Sequence, residues 1–238
     1  MTAMAASGLR SRMESLDLLA NNVANASTGG YKADREFYSL YLSPEAADSG
    51  QAATMPVIEK PWIDLAQGVI QTTGSSLDLA LSGKGFFAVQ APNGPLYTRN
   101  GSFHLAADGQ MVTADGYPVN TVDGAVMRLQ TSGKIEIAGD GTVTQDGQAV
   151  GQLQVVDFPG GAGLAKQGDS YFRSAGASPA APASGTTIEQ GKLEASNTGT
   201  AQSAVRLINL MRQFEMLQKA ASTALDMSKE AVEQVAKV

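Results

Sequence analysis

The residues that break helices are confined to the middle of this 238-residue chain: all nine prolines fall between Pro44 and Pro182, and 22 of the 26 glycines lie in residues 43–196. Proline removes a backbone donor and clashes with the preceding turn, and glycine costs about 1 kcal/mol against alanine in a helix interior. Long helices are therefore expected at the two ends, with strands and turns between them. Residues 2–27 place Ala6, Leu9, Met13, Leu16, Ala20 and Val23 at alternating spacings of three and four, one stripe along a helix, with Arg10, Arg12, Glu14 and Asp17 off that stripe. Thr28-Gly29-Gly30 should stop the helix, because glycine accepts the left-handed conformation common just past a last turn. From a start near Asn197 or Thr198, Leu207, Leu210, Phe214, Leu217, Ala221, Ala224, Ser228, Ala231 and Val235 repeat the pattern as a longer heptad seam. At 1.5 Å per residue these helices would run about 40 Å and about 60 Å. Neither can bury its stripe alone. Either they pair within one chain as a buttress, or they also pack against helices of other subunits, since small residues such as Ala221 and Ala224 leave a hairpin of two helices with apolar surface to cover.

The centre reads as β structure. Turn dipeptides recur at Asn93-Gly94, Asn100-Gly101, Asp108-Gly109, Asp115-Gly116, Asp123-Gly124, Ser132-Gly133, Asp140-Gly141 and Asp146-Gly147, each suited to the positive φ of a tight hairpin. Between and before them lie short strand candidates at 69–73, 77–81, 86–90, 96–99, 103–105, 110–113, 126–129, 134–137 and 153–158. Antiparallel hairpins in sequence imply a meander or a small sandwich. Residues 174–187 (SAGASPAAPASGTT) are too poor in large apolar groups to pack and read as a loop or linker, as do 43–54. The expected fold class is α+β: long N- and C-terminal helices forming a coiled-coil-like helical domain (1–30 plus 197–238), a linker with connecting strands (31–80), and a central all-β, antiparallel hairpin-rich domain (81–196).

Catalysis finds little to work with. There is no cysteine and one histidine, His104, so thiolate clusters, zinc fingers and cysteine nucleophiles are excluded. Asp140 and Asp146 stand in a glycine-rich loop, but threonine at 142 and 144 breaks the EF-hand spacing, and turn chemistry accounts for both aspartates. Ser82-Gly83-Lys84-Gly85 lacks the upstream glycine and following helix of a phosphate loop, and no G-x-S-x-G occurs. Asp64 with Asp78 could in principle serve a glycosidase, yet Trp62 is the only tryptophan and no aromatic cluster would grip sugar. No catalytic, cofactor-binding or metal-ligating residue is assigned, and no cofactor is expected. Net charge is −6, concentrated as −7 in residues 43–196 with near-neutral ends, which disfavours nucleic acid as a partner. No window approaches the roughly 20 uncharged apolar residues of a membrane span, so no membrane insertion is expected.

Asn21, Asn22 and Asn25 are poor helix formers placed in a helical pattern. They read either as a fraying last turn or as polar contacts that set the register of a neighbouring helix, as buried asparagine does in coiled coils. Here the sequence resembles a known family, the bacterial flagellar basal-body rod and hook proteins. LDLLANNVANASTGGYK (16–32) resembles its N-terminal signature, N-N-x-A-N followed by T-x-G-[FY]-[KR]. LSGKGFFAV (81–89) with YTRNGSFHLAADGQMVTADGYPV (97–119) is similar to its central β segment, and GKLEASN (191–197) resembles the approach to its C-terminal helix. RQFEM (212–216) and the modest length look more like the proximal-rod branch than the distal-rod branch.

The resemblance implies a non-enzymatic axial subunit that polymerises with itself and with other rod subunits into a tube. That tube would transmit torque and form the export channel. It also implies passage through the flagellar type III export apparatus and a place in the periplasmic part of the basal body. The charges in residues 1–20 match no cleaved signal peptide, in keeping with such a route. The expected assembly residues are Leu9, Met13, Leu16, Val23, Leu207, Leu210, Phe214 and Leu217 as seam, with Asn21, Asn22 and Asn25 as register-setting contacts. A distal-rod or hook-type subunit, a non-polymerising periplasmic adaptor using an acidic β face, and a monomeric secreted enzyme with a helical buttress stand as alternatives.

Overall fold

Where proline is absent and glycine scarce, helices form: α1 spans Thr2–Ala24 and α2 spans Thr200–Val235. At 23 and 36 residues they measure about 35 Å and about 54 Å. The computed structural model describes residues 2–36, 38–42, 54–58, 62–159, 163–176 and 180–235. The chain divides into two units that alternate along the sequence. One comprises Met1–Ala24, Asp34–Asp64 and Gly199–Val238; the other comprises Asn25–Ala33 and Leu65–Thr198. The segment 43–54 expected as a loop or linker lies, apart from Thr54, outside the described residues.

In the first, helical unit, α1 packs along α2 and against the strand Thr54–Ile58, which pairs antiparallel with Tyr38–Leu42. A second short pairing joins Asp34–Arg35 to Trp62–Ile63, and the ion pair from Arg35 Nε to Asp64 Oδ2 closes it at 2.6 Å. The Asn22 side chain grips the Asp34 backbone at both ends, accepting from Asp34 N at 3.0 Å and donating to Asp34 O at 2.8 Å.

The expected fold class is corrected here. Among the described residues there are only two helices, one at each end, set against many short strands, and the two do not make a coiled-coil-like pair. Among the described side chains of α1 the buried ones are Ser11, Ser15, Leu19 and Asn22, roughly a third of a turn away from the expected stripe, while Met13 is 54% exposed and Leu16 and Val23 are half-buried. The physical reason is size. Serine lets a neighbouring element approach closely, and its hydroxyl can return a hydrogen bond to its own helix, so a polar stripe can face inward where periodicity of large apolar groups points elsewhere. On α2, Leu210 is buried and Ser203, Leu207 and Phe214 are half-buried, and every described side chain from Glu215 to Glu230, Leu217 among them, is exposed.

The β unit follows its turn glycines. Asp146 and Gly147, at φ of 51° and 83°, form the two-residue turn between Thr142–Gln145 and Gln148–Gln152, to which Ile135–Ile137 adds a third strand. Gly94 at φ 108° likewise closes the pair Phe86–Ala91 with Gly94–Thr98. Gly101 differs from the other turn candidates in lacking a left-handed φ; a Cβ there would overlap Leu79 O, so glycine serves close backbone approach. The largest sheet has six antiparallel strands in the order Leu164–Gln167, Tyr171–Ser174, Gly94–Thr98, Phe86–Ala91, Val155–Asp157 and Ala181–Pro182. Residues 126–129 form no strand, only an isolated bridge from Arg128 to Gln110. The core gathers Leu79, Leu81, Phe87, Phe103, Met111, Val143 and Leu153, with Phe87 and Phe103 edge to face at 5.2 Å. Asp108, Asp123 and Asp140 each accept from the amide two residues on, the geometry of Asx turns.

Candidate functional site

Three segments far apart in sequence meet inside the β unit, around one carboxylate. After α1 the chain turns at Asn25, whose carbonyl accepts from Thr28 N at 3.1 Å and whose Oδ1 accepts from Thr28 Oγ1 at 3.1 Å. Gly30 follows at φ 67°, where a Cβ would overlap the Arg99–Asn100 peptide, so only glycine lets the two backbones touch. Its amide donates to Glu194 O at 2.7 Å. Tyr31 and Lys32 then turn fully inward, the Tyr31 ring capped by Lys166 Nζ at 4.2 Å from its centroid.

Glu194, at the end of the strand Lys192–Glu194, is completely buried and accepts three hydrogen bonds. Its Oε1 takes Lys32 Nζ at 2.6 Å and Gly68 N at 2.8 Å, and its Oε2 takes Arg99 Nη1 at 3.0 Å. Lys32 Nζ also donates to Ala66 O at 2.8 Å, and Arg99 Nη2 donates to Gly83 O at 2.6 Å. The guanidinium lies 5.5 Å above the Phe86 ring, and its Nε has no hydrogen-bond partner. Burial pushes the Arg99 pKa down, and the Glu194 carboxylate beside it pushes back. Two dry cations thus depend on one dry carboxylate. In such a cluster the partners cost much to desolvate, and removing one leaves the others stranded.

Asn197 completes the arrangement. Its Oδ1 accepts from Ala33 N at 2.8 Å, its Nδ2 donates to Ala66 O at 3.1 Å, and its own amide donates to Tyr31 O at 3.2 Å. The chain passes between its units after Ala24, Ala33, Asp64 and Thr198, and the cluster draws on residues beside the last three of those points.

The residues expected from the sequence fall differently. Leu207, Leu210 and Phe214 share one partly covered face of α2, whereas Leu217 is 40% exposed. Asn22 and Asn25 are buried with contacts inside the chain, and Asn21 lies on an exposed surface. The side chain of Leu9 lies outside the described residues. Lys32, Arg99 and Glu194 were not among the expected site residues, although each is one of the few charged residues inside a motif segment. That was the available signal: a charge set among glycine, aromatic and apolar residues. Among the described residues no group of three or more His, Asp or Glu is placed to hold a metal ion.

A carboxylate spent on the chain's own lysine, arginine and one backbone amide clamps structure, the role of a structural protein and not of a reacting group. Residues 3–32 match the model of the flagella basal body rod protein family, 80–145 that of the flagellar hook protein FlgE/F/G D1 domain, and 189–234 that of the flagellar basal body rod FlgEFG protein C-terminal region. The chain is 33% identical over 226 residues to the flagellar basal-body rod protein FlgF of Caulobacter vibrioides, covering 94% of this chain and 92% of that protein. It is 32% identical over 254 residues to FlgG of Bacillus subtilis, covering 95% of each, and 31% identical over 202 residues to FlgF of Mesorhizobium japonicum, covering 84% and 83%. The chain belongs to the flagellar basal-body rod protein family. Lys32, Arg99 and Glu194 each come from a different one of the three matched regions.

Proposed function

We propose that this structural subunit of the flagellar basal-body rod works in the proximal rod and joins its neighbours through the exposed surfaces of its terminal helices. One observation carries the reading. From Glu215 to Glu230 the described side chains of α2 are exposed, and they include Met216, Leu217 and Met227, apolar groups that a subunit working alone would not leave in water. A second rod subunit is the occupant that family membership supports. Head-to-tail contacts of this kind propagate instead of closing, which suits a tube able to carry torque and enclose an export channel. The acidic β unit, by mutual repulsion, would confine contact between copies to the helices.

Length favours the proximal position. The alignments with FlgG of Bacillus subtilis and of Agrobacterium fabrum run over 254 and 260 positions, beyond the 238 residues here, so those relatives carry insertions that this chain lacks; the alignments with FlgF do not. We also infer delivery through the flagellar export apparatus into the periplasmic part of the basal body. Helices that complete their burial only on assembly postpone their folding cost until they arrive.

The test is a Phe214→Asp subunit expressed in a strain lacking the native one. The expected result is loss of incorporation into purified basal bodies and loss of motility, with the β unit still folded by near-UV circular dichroism. Normal rods containing the variant would overturn the helical-surface reading.

A further inference from the structure

The apolar core of the β unit is nearly complete without its last segment. Of the buried cluster that includes Leu79, Phe87, Phe103, Met111 and Leu153, residues 187–197 supply only Ile188. That segment is held by other means. Thr187–Gln190 pairs with Leu79–Ser82 and Lys192–Glu194 pairs with Ile70–Thr72, each as a two-stranded sheet separate from the six-stranded one. Gly191 N donates to Asp78 O at 2.8 Å, and Gly191 O accepts from Thr73 N and Gly74 N. The Gln190 side chain donates to Ser76 O and Ile135 O and accepts from Ile137 N. Glu194 and Asn197 supply the remaining polar fastenings.

From this division of labour we propose that residues 187–197 form a detachable strap, latched by Glu194, that opens and closes as one step on a β core that stays folded. Large apolar burial holds the core, and a run of mutually dependent polar contacts holds the strap. Each contact of the strap is formed only when it is docked in register, so it leaves as a unit. Opening lets water reach Lys32 and Arg99, which relieves their desolvation. In the closed state the Glu194 carboxylate is the anion hydrogen-bonded to both of them. The strap leads directly into α2 at Thr200. Latching therefore determines when the root of the C-terminal helix is anchored, and a subunit can hold a folded β core while that root is still free. This goes beyond the rod reading and does not depend on it.

Native-state hydrogen exchange on the full-length chain tests the proposal, comparing wild type with Glu194→Gln. The strap reporters are the amides of Gly30, Thr73, Gly74, Gly191 and Ala195; the core reporters are those of Ala88, Gln90 and Asn120. In wild type the strap reporters should share one opening at least about 10-fold more frequent than that of the core reporters. Glu194→Gln should raise the strap rates a further ~100-fold and leave the core rates where they were. Equal acceleration of both sets would show a single cooperative unit and overturn the proposal, as would unchanged strap rates. Should Glu194→Gln fail to fold, wild type in rising sub-denaturing urea decides. Strap amides on their own isotherm, with a smaller urea slope than the core, support the strap; one common isotherm for both sets overturns it.

Discussion

Lys32 and Glu194, 162 residues apart in the chain, meet at 2.6 Å with both side chains essentially sealed from solvent. The contact closes the longest loop among the described side-chain pairings of the β unit except that of Asn197 with Ala33, 164 residues apart and directly beside it. Closing a loop of that size costs chain entropy, though the cost rises only with the logarithm of length, and two adjacent closures share it.

Glu194→Ala should therefore be among the most damaging single changes in the β unit. It strands two buried cations, and breaking a buried pair in this way costs about 3–5 kcal/mol. Urea denaturation followed by tryptophan-independent circular dichroism gives the number. Lys32→Met combined with Glu194→Ala should cost less than the sum of the single changes, because part of each penalty is the unpaired partner that the other change removes.

Glycine substitutions should separate conformational cost from steric cost. Gly116, at φ 80° with open space where a Cβ would stand, should lose only about 1–2 kcal/mol as alanine. Gly101→Ala has no left-handed φ to strain but drives a Cβ into Leu79 O, and Gly30→Ala combines φ 67° with overlap on the Arg99–Asn100 peptide. Both should exceed Gly116→Ala in thermal-denaturation measurements, with Gly30→Ala the worst of the three.

Among the three asparagines near the end of α1, Asn22 should dominate. Replacing it by alanine leaves the Asp34 amide and carbonyl without the amide group that serves both, a loss of about 1–3 kcal/mol. Asn22→Asp removes the donor as well and sets a carboxylate against the Asp34 carbonyl, so it should be no better than alanine. Asn21→Ala, at an exposed position, should change stability little. Asn21→Ala proving the most destabilising of the three in chemical denaturation would overturn this ranking.

Acid should loosen the turn at Asp140. Its carboxyl accepts from both the amide and the hydroxyl of Thr142, which holds its pKa below the usual aspartate value. A folded pKa below the unfolded one means that the contribution is complete above the unfolded value, near pH 4, and is lost as pH falls through the folded value. The Thr142 amide resonance should thus titrate with a midpoint below that of an ordinary aspartate. Asp140→Asn should abolish that titration while keeping the amide hydrogen bond.

Much of this architecture is legible in the amino-acid sequence. The two helices sit where proline is missing, and the hairpin at Asp146-Gly147 sits where the dipeptide called for positive φ. Residues 126–129 misled because their valine and leucine fit a strand pattern, yet a strand needs a partner along its length and they have only one bridge. The face of α1 misled for a related reason. Periodicity weighs the size of apolar groups, whereas the inward positions went to Ser11 and Ser15, which allow close approach.

The sequence by itself determined where helix could and could not run, which turns were tight, that no cysteine thiolate was on hand, and which family the chain resembles. Each of those is a local property: a missing donor, a permitted φ, a missing ligand, a contiguous motif. Only the tertiary structure decided that Lys32, Arg99 and Glu194 form one cluster, and that Val205, Ile208, Met211, Met216, Leu217 and Met227 of α2 stay exposed. Both are long-range outcomes. A charge is buried only when partners from elsewhere in the chain desolvate it together, and nothing in the residues around Lys32 says that its carboxylate waits 162 positions away.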